Sequence, residues 1–210
     1  MKCLACDNQD SFTRTELMVL IVVCAVGMAL LAVPKRKASR ISCANNLRMD
    51  GIAIAEYAAD HNRLLPHCVS TNTGGSLEYV SLQEGCYLHF RALTHYLPTP
   101  LSVICPQDTR RAAPDWCEVS NCNISYFYGL DSAVELPRSM LMGDRNISAQ
   151  SRTILTLRSC ATASWVKGFG LHGEQGHVLF ADGSVEMLTS RGLGDVVRRT
   201  GTETNRLAIP

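Results

Sequence analysis

A polar stretch, Ser11-Phe-Thr-Arg-Thr-Glu16, passes at once into Leu17 to Val33, a run with no charged residue. Within that run only Gly27 falls outside the aliphatic, Met, Cys and Ala set. The 22 residues from Phe12 to Val33 predict a helix of roughly 33 Å, which matches a hydrocarbon core of about 30 Å. The pattern therefore predicts a transmembrane helix over 12–33, with residues 1–11 as a leader-like segment. Ala25, Gly27, Ala29 and Ala32 are small enough for a second helix to approach closely. A cleaved signal peptide fits less well, because the run is long and the residues before it carry little positive charge.

After Pro34 and Lys35-Arg36-Lys37 the apolar positions become periodic. Ile41, Ala44, Leu47, Gly51, Ile52, Ala55, Ala58 and Ala59 recur at spacings of three and four, opposite Arg40, Asn45, Arg48, Asp50 and Glu56. This predicts an amphipathic continuation of the helix over 34–63, kinked or restarted at Pro34 and stopped near Asp60-His61-Asn62 and Pro66.

Residues 64–210 read as a loop-rich head. Asn72-Thr-Gly-Gly75 is a turn signal. Tyr87 to Tyr96 reads as a short helix, and Leu101 to Cys105 as a strand or extended piece. Asn123 to Leu130 reads as a strand, with Leu141 to Asn146 as its partner and Thr153 to Leu157 as another strand. The sharpest local signal is Asp182-Gly183 between Val178-Leu-Phe-Ala and Ser184-Val-Glu-Met-Leu188. It predicts a hairpin over 178–188 with a type I′ turn. Asn205 to Pro210 reads as a tail. The expected fold class is α+β: a long N-terminal helix, half transmembrane and half amphipathic, packed on a small antiparallel sheet.

Net charge is +1, so no strong electrostatic case for nucleic acid exists. Seven of the ten cysteines follow the apolar run: Cys43, Cys68, Cys86, Cys105, Cys117, Cys122 and Cys160. An oxidising compartment would allow disulfides, and an odd number cannot all pair. A local bridge from Cys117 to Cys122, or from Cys105 to one of them, is the expected pairing. Cys3-Leu-Ala-Cys6 has metal-ligand spacing but no second pair nearby.

Glu16 is the residue a plain anchor does not explain, since a carboxylate at the mouth of a span needs a partner or the headgroup region. The segment Ser-Phe-Thr-Arg-Thr-Glu-Leu from Ser11 to Leu17 resembles the processing signal of type IV pilin-like proteins. That resemblance implies cleavage by a prepilin peptidase between Ser11 and Phe12, and methylation of the new Phe12 amine. It also implies that Glu16 neutralises the amine of a neighbouring subunit. Ser11 stands where the family has Gly, and Arg14 and Thr15 stand where it has apolar residues. The four basic residues Lys35, Arg36, Lys37 and Arg40 would place the head in the cytoplasm by the positive-inside rule, whereas the resemblance places it outside.

Further blocks carry the resemblance along the chain. They are Cys43-Ala-Asn-Asn-Leu-Arg48, Ile104-Cys-Pro-Gln-Asp108, Asn123-Ile-Ser-Tyr-Phe127, Gly143-Asp-Arg-Asn146, and His172 followed after nine residues by Asp182-Gly183. Together they resemble a bacterial family, frequent in planctomycetes and verrucomicrobia, with a pilin-like N-terminus and a small head. The resemblance implies a pseudopilin-like architecture and a structural subunit of a type II secretion or type IV pilus-like system. It also implies an inner-membrane, single-pass placement with a periplasmic head, and as partners the lipid bilayer, other pilin-like subunits and the prepilin peptidase. The alternative is a non-polymerising, membrane-anchored extracytoplasmic binding protein. An enzyme is not expected: the chain has no Walker loop, G-x-S-x-G or zinc-protease motif, and His172, His177 and Asp182 are its only candidate catalytic set. Asp182 has a sufficient task in the turn. Asp131, Glu135, Asp144 and Asp182 offer oxygen donors of the type calcium takes, without EF-hand spacing, so neither a metal nor a cofactor is expected.

Overall fold

The computed structural model describes residues 13–148, 154–158, 163–166 and 171–210; of these, the side chains of 29–38 are not described. Ser11, Phe12, Cys3, Cys6 and Cys160, and with them the leader, its cleavage point and the Phe12 methylation site, lie outside the described residues.

Helix α1 runs from Arg14 to Asp60. The chain divides into two compact units, residues 1–38 and Ser39–Pro210, so α1 contributes its first part to one and its last part to the other. In the first unit, Thr13 begins the helix. Its hydroxyl lies 3.4 Å from the Glu16 N–H, and the Glu16 carboxylate accepts from the Thr13 N–H at 2.8 Å and from the Thr13 hydroxyl at 2.9 Å. This reciprocal T-x-x-E capping box is present in the sequence as Thr13-Arg-Thr-Glu16. It satisfies helix-end donors that lack intrahelical acceptors.

The expected transmembrane half is corrected by the structure. Among the described residues no helix is long and apolar enough to cross a membrane. The apolar side chains described in this unit run from Leu17 to Met28, roughly 18 Å of helix, and they follow Arg14 and Glu16 directly. The fold is therefore not the pseudopilin-like division into a membrane half and an amphipathic half. With that division go the transmembrane assignment and the single-pass inner-membrane placement with a periplasmic head.

The second unit is α+β. Its sheet has six strands in the order β3-β6-β1-β2-β4-β5, made of β1 Tyr126–Gly129, β2 Met140–Asp144, β3 Ile154–Arg158, β4 Gln175–Phe180, β5 Val185–Thr189 and β6 Thr204–Ala208. Every pairing is antiparallel, as expected. The stretch read as a tail instead supplies β6, an interior strand between β3 and β1. Two short helices complete the unit: α2, Cys86–Arg91, and α3, Ser190–Val197. The piece read as extended at Leu101–Cys105 is a 3-10 turn over Pro100–Val103. Thr99 caps it by accepting from the Leu101 N–H, with Pro100 at its first position, where a missing N–H costs nothing.

The part of α1 in this unit lies along one face of the sheet. Cys43, Leu47, Ile54, Tyr57 and Ala58 join Leu141, Met142 and Leu179 in one core. At Gly51 a Cβ would stand 3.0 Å from the Leu179 side chain, so glycine lets the helix approach β4 closely. Phe127, Met140, Val178, Phe180 and Leu207 point to the other face, under α3 residues Leu193 and Val197. The alternation of neighbours such as Val178 and Leu179 between the two faces is the period-2 geometry of a strand.

The β4–β5 hairpin forms where Asp182-Gly183 predicts it, with a different turn. Gly183 has φ +79°, while Asp182 is not among the residues with positive φ. Type I′ needs positive φ at both central positions. The connection is instead a three-residue loop, Ala181 to Gly183. Gly183 N–H bonds Phe180 C=O at 2.9 Å, and Phe180 N–H bonds Ser184 C=O at 2.9 Å. This is a type I turn followed by a left-handed glycine. Asp182 accepts from the Ser184 N–H and hydroxyl, a local Asx-type bond that favours the longer loop.

Candidate functional site

The candidate site grows from four segments that converge on one buried point. The first is α1 itself, which turns Cys43 inward, fully buried. The second is the turn after the Pro100–Val103 helix. It presents Cys105 and closes with an Asp108 N–H to Cys105 C=O bond of 2.9 Å. The third is the C-terminal end of β2, which presents Asp144. The fourth is the loop before β4, where Gly173 at φ +75° lets the chain reverse just after His172.

Two polar clamps hold these segments. Arg145 makes a bidentate pair with Asp108, Nε to Oδ2 and Nη2 to Oδ1 both at 2.8 Å, which ties the Cys105 turn to the end of β2. Asn146 donates to the carbonyls of Gly173 at 2.9 Å and Gln175 at 3.3 Å, which ties the His172 loop to the same strand end. The blocks Ile104-Cys-Pro-Gln-Asp108 and Gly143-Asp-Arg-Asn146 thus work together: the first supplies one clamp residue, Asp108, the second supplies two, Arg145 and Asn146, and each supplies one inward-facing group.

The inward-facing groups are close. Cys43 Sγ lies 3.4 Å from Asp144 Oδ1, and Cys105 Sγ lies 3.4 Å from His172 Nε2. His172 Nε2 lies 3.7 Å from Asp144 Oδ2, with both side chains fully buried. Asp144 Oδ2 also accepts from the His177 N–H at 2.6 Å and faces His177 Nδ1 at 3.2 Å. The Tyr126 hydroxyl sits 3.4 Å from Cys43 Sγ. One donor atom from each of Cys43, Cys105, Asp144 and His172 falls within 4.8 Å of all the others.

The electrostatics follow from this crowding. The neighbouring Cys43 thiol, directed at the Cys105 sulfur, brings Cys105 below the usual thiol range against the opposing effect of burial, and His172 helps. Cys43 is held well above that range by Cys105, by burial and by the Asp144 carboxylate. The pair thus gives up one proton more readily than two. Burial alone would lower His172, but the Cys105 sulfur and Asp144 more than offset it and raise its pKa. The arrangement is a buried thiol pair with a carboxylate and an imidazole, a donor set suited to a borderline-soft metal. An open groove of about 670 Å³, lined in part by Arg40, Trp165, His172 and Arg191, borders it.

The residues singled out in the sequence separate into three groups. His172 and His177 do come together, their rings perpendicular with centroids 4.6 Å apart, but around Asp144 and not Asp182. Asp182 is exposed at the hairpin tip, where Ser184 holds its carboxyl below the usual range despite some burial. The calcium-type set disperses: Asp131 pairs with Arg206, Glu135 with Arg63, Asp144 is enclosed in the core and Asp182 closes the turn. The expected local disulfides do not form: Cys117 and Cys122 are exposed free thiols, and Cys105 is buried beside Cys43. Cys43, Cys105 and Asp144 were not legible as a site, because 101 residues separate the first from the last. Comparison with family models, curated proteins and solved structures finds no match.

Proposed function

We propose that the chain is a structural assembly subunit of the pseudopilin-like kind, serving a type II secretion or type IV pilus-like system, and not an enzyme. The observation that carries this reading is the start of α1. Leu17, Met18, Val19, Leu20, Ile21, Val22, Val23, Val26 and Met28 are each 51–68% exposed. So long an uninterrupted apolar surface is a partner site. Its occupant in this reading is the same stretch of further copies, with Ala25 and Gly27 allowing close approach. Prepilin-peptidase cleavage before Phe12 would create an amine four residues before Glu16, within the reach of a neighbour's Glu16.

Glu16 offers a clean test, because it has a local task as well. A capping box accepts Glu or Gln, whereas pairing with an amine needs the charge. Glu16→Gln is therefore expected to keep helicity and thermal midpoint while weakening self-association of the processed chain in sedimentation velocity. Val19→Glu should abolish that association. Intact mass should show a product beginning at methylated Phe12. Retention of Met1 to Ser11, or assembly indifferent to both substitutions, would overturn the proposal.

A further inference from the structure

We propose that Cys43, Cys105, Asp144 and His172 form a four-ligand structural site for a borderline-soft divalent cation of the zinc class. The inference is independent of the assembly reading: it concerns the second unit, and its failure would leave the proposal about α1 untouched.

Size is the first argument. A tetrahedral zinc ion with bonds of about 2.3 Å to sulfur and 2.0–2.2 Å to nitrogen or oxygen spaces its ligand atoms roughly 3.3–3.8 Å apart. The observed separations are 3.4 Å from Cys43 Sγ to Asp144 Oδ1, 3.4 Å from Cys105 Sγ to His172 Nε2, and 3.7 Å from His172 Nε2 to the other Asp144 oxygen, Oδ2. All four donors lie within one 4.8 Å set.

Chemistry is the second. Two thiolates and an imidazole select against calcium and magnesium, which take oxygen. Two cysteines, a histidine and a carboxylate fill a tetrahedron, as in closed structural sites. Binding is charge-balanced: the cation displaces the two thiol protons to solvent, as metal loading of cysteines requires. The product, one divalent ion with two thiolates and one carboxylate, carries a single net negative charge.

Support around the ligands is the third. Asp144 is aimed by the His177 backbone N–H at 2.6 Å. The Asp108–Arg145 clamp fixes the Cys105 turn, and Asn146 fixes the His172 loop. Outer contacts of this type orient metal ligands. Without an ion, two thiols, a carboxylate and an imidazole are confined together in the buried interior. With one, α1, β2 and two loops are joined at a single point.

The test is a cobalt(II) titration of the reduced full-length chain, followed by displacement with zinc. The expected result is one equivalent bound, with thiolate-to-cobalt charge transfer and the intense visible bands of a tetrahedral ion. Zinc should abolish both. Cys105→Ser and His172→Ala should each weaken binding by more than the roughly 10–100-fold typical of losing an outer-shell partner. Cys117→Ser should not change it. Because a ligand variant can fail to fold, circular dichroism of each variant is recorded alongside, and the wild-type stoichiometry and spectrum stand on their own. Three results would overturn the proposal: no uptake by the reduced wild-type chain, an octahedral spectrum without sulfur charge transfer, or uptake that survives in folded Cys105→Ser. Recovery of the native chain with Cys43 and Cys105 joined as a disulfide and no bound metal would do the same.

Discussion

Asp50 gives the most direct test of how the core is built. It sits on the buried side of α1 with no solvent exposure, and among the described residues no cation is paired with its carboxylate. Burial pushes its pKa well above the ordinary value, and the Ser102 hydroxyl beside it offsets only part of that. The folded chain therefore holds Asp50 protonated at pH values where the unfolded chain ionises it. A folded pKa above the unfolded one means that stability is full below the unfolded pKa of about 3.9 and is lost as pH rises towards the folded pKa. The loss is up to about 1.4 kcal/mol for each pH unit in that window. Asp50→Asn keeps size and polarity and removes the titration. Urea unfolding of the two chains between pH 4.5 and 6.5 should show the variant gaining on the wild type by up to about 2.7 kcal/mol over those two units. The gain should flatten where pH passes the folded pKa. Using the difference between chains cancels the other titrating groups. Buried His67 and His89 run in the opposite direction, held by burial at about 4 and about 3, so their stability is lost as pH falls below about 6.5. A difference that stays constant over the window, or that favours the wild type as pH rises, would refute the account of Asp50 as an unpaired buried acid.

Other outcomes follow from single contacts. Arg145→Ala leaves the enclosed Asp108 carboxylate without its bidentate partner and should cost about 3–5 kcal/mol in chemical denaturation, while Asp108→Asn should cost less at acidic pH than at pH 7. Arg145 and burial act on Asp108 with opposite signs and the net pKa is lowered, so the clamp's contribution is present above about pH 3.9 and lost as pH falls. Gly183→Ala places a side chain at φ +79° and should lower stability by about 1–2 kcal/mol, with Gly183→Asn recovering part of it. Gly129→Ala would bring a Cβ to 1.9 Å from the Met140 carbonyl oxygen and should prevent soluble expression, whereas Gly194→Ala, with only the Arg198 side chain within 4 Å, should be tolerated.

What the sequence reveals here depends on the range over which each signal acts. The capping box, the helix end near Asp60 and the β4–β5 hairpin are set by residues three or four apart, so they can be read from the chain, though the turn type needed the Asp182–Ser184 bonds as well. The stripe from Leu47 to Ala59 predicts the buried face only in part: Leu47, Gly51 and Ala58 are buried, with Gly51 against Leu179, but Ile52, Ala55 and Ala59 are exposed and Asp50, read as part of the polar face, is buried. β6 escaped because Thr204-Asn-Arg-Leu-Ala208 has little apolar content of its own. Its place between β3 and β1 is fixed from outside, by the pairing of Arg206 with Asp131 at 2.6–2.9 Å and by burial of Leu207 against Phe127.

The candidate metal centre is the extreme case. Its ligands come from α1, a 3-10 turn, a strand end and a loop, and no pair of them is closer than 28 residues in sequence, as the numbers of Asp144 and His172 show. Spacing rules such as C-x-x-C work because a single turn places both ligands, and they directed attention to Cys3 and Cys6. Here the convergence is produced by the fold, through two clamps whose members, Asp108 with Arg145 and Asn146 with the Gly173 carbonyl, are themselves distant in sequence. The consequence is that removing a clamp should spread the ligands without touching one. Arg145→Ala should therefore weaken cobalt binding as well as stability, while Gly183→Ala, comparable in kind but remote from the clamps, should lower stability alone. If both variants reduce metal affinity in proportion to their loss of stability, the clamps have no separate role in holding the ligands.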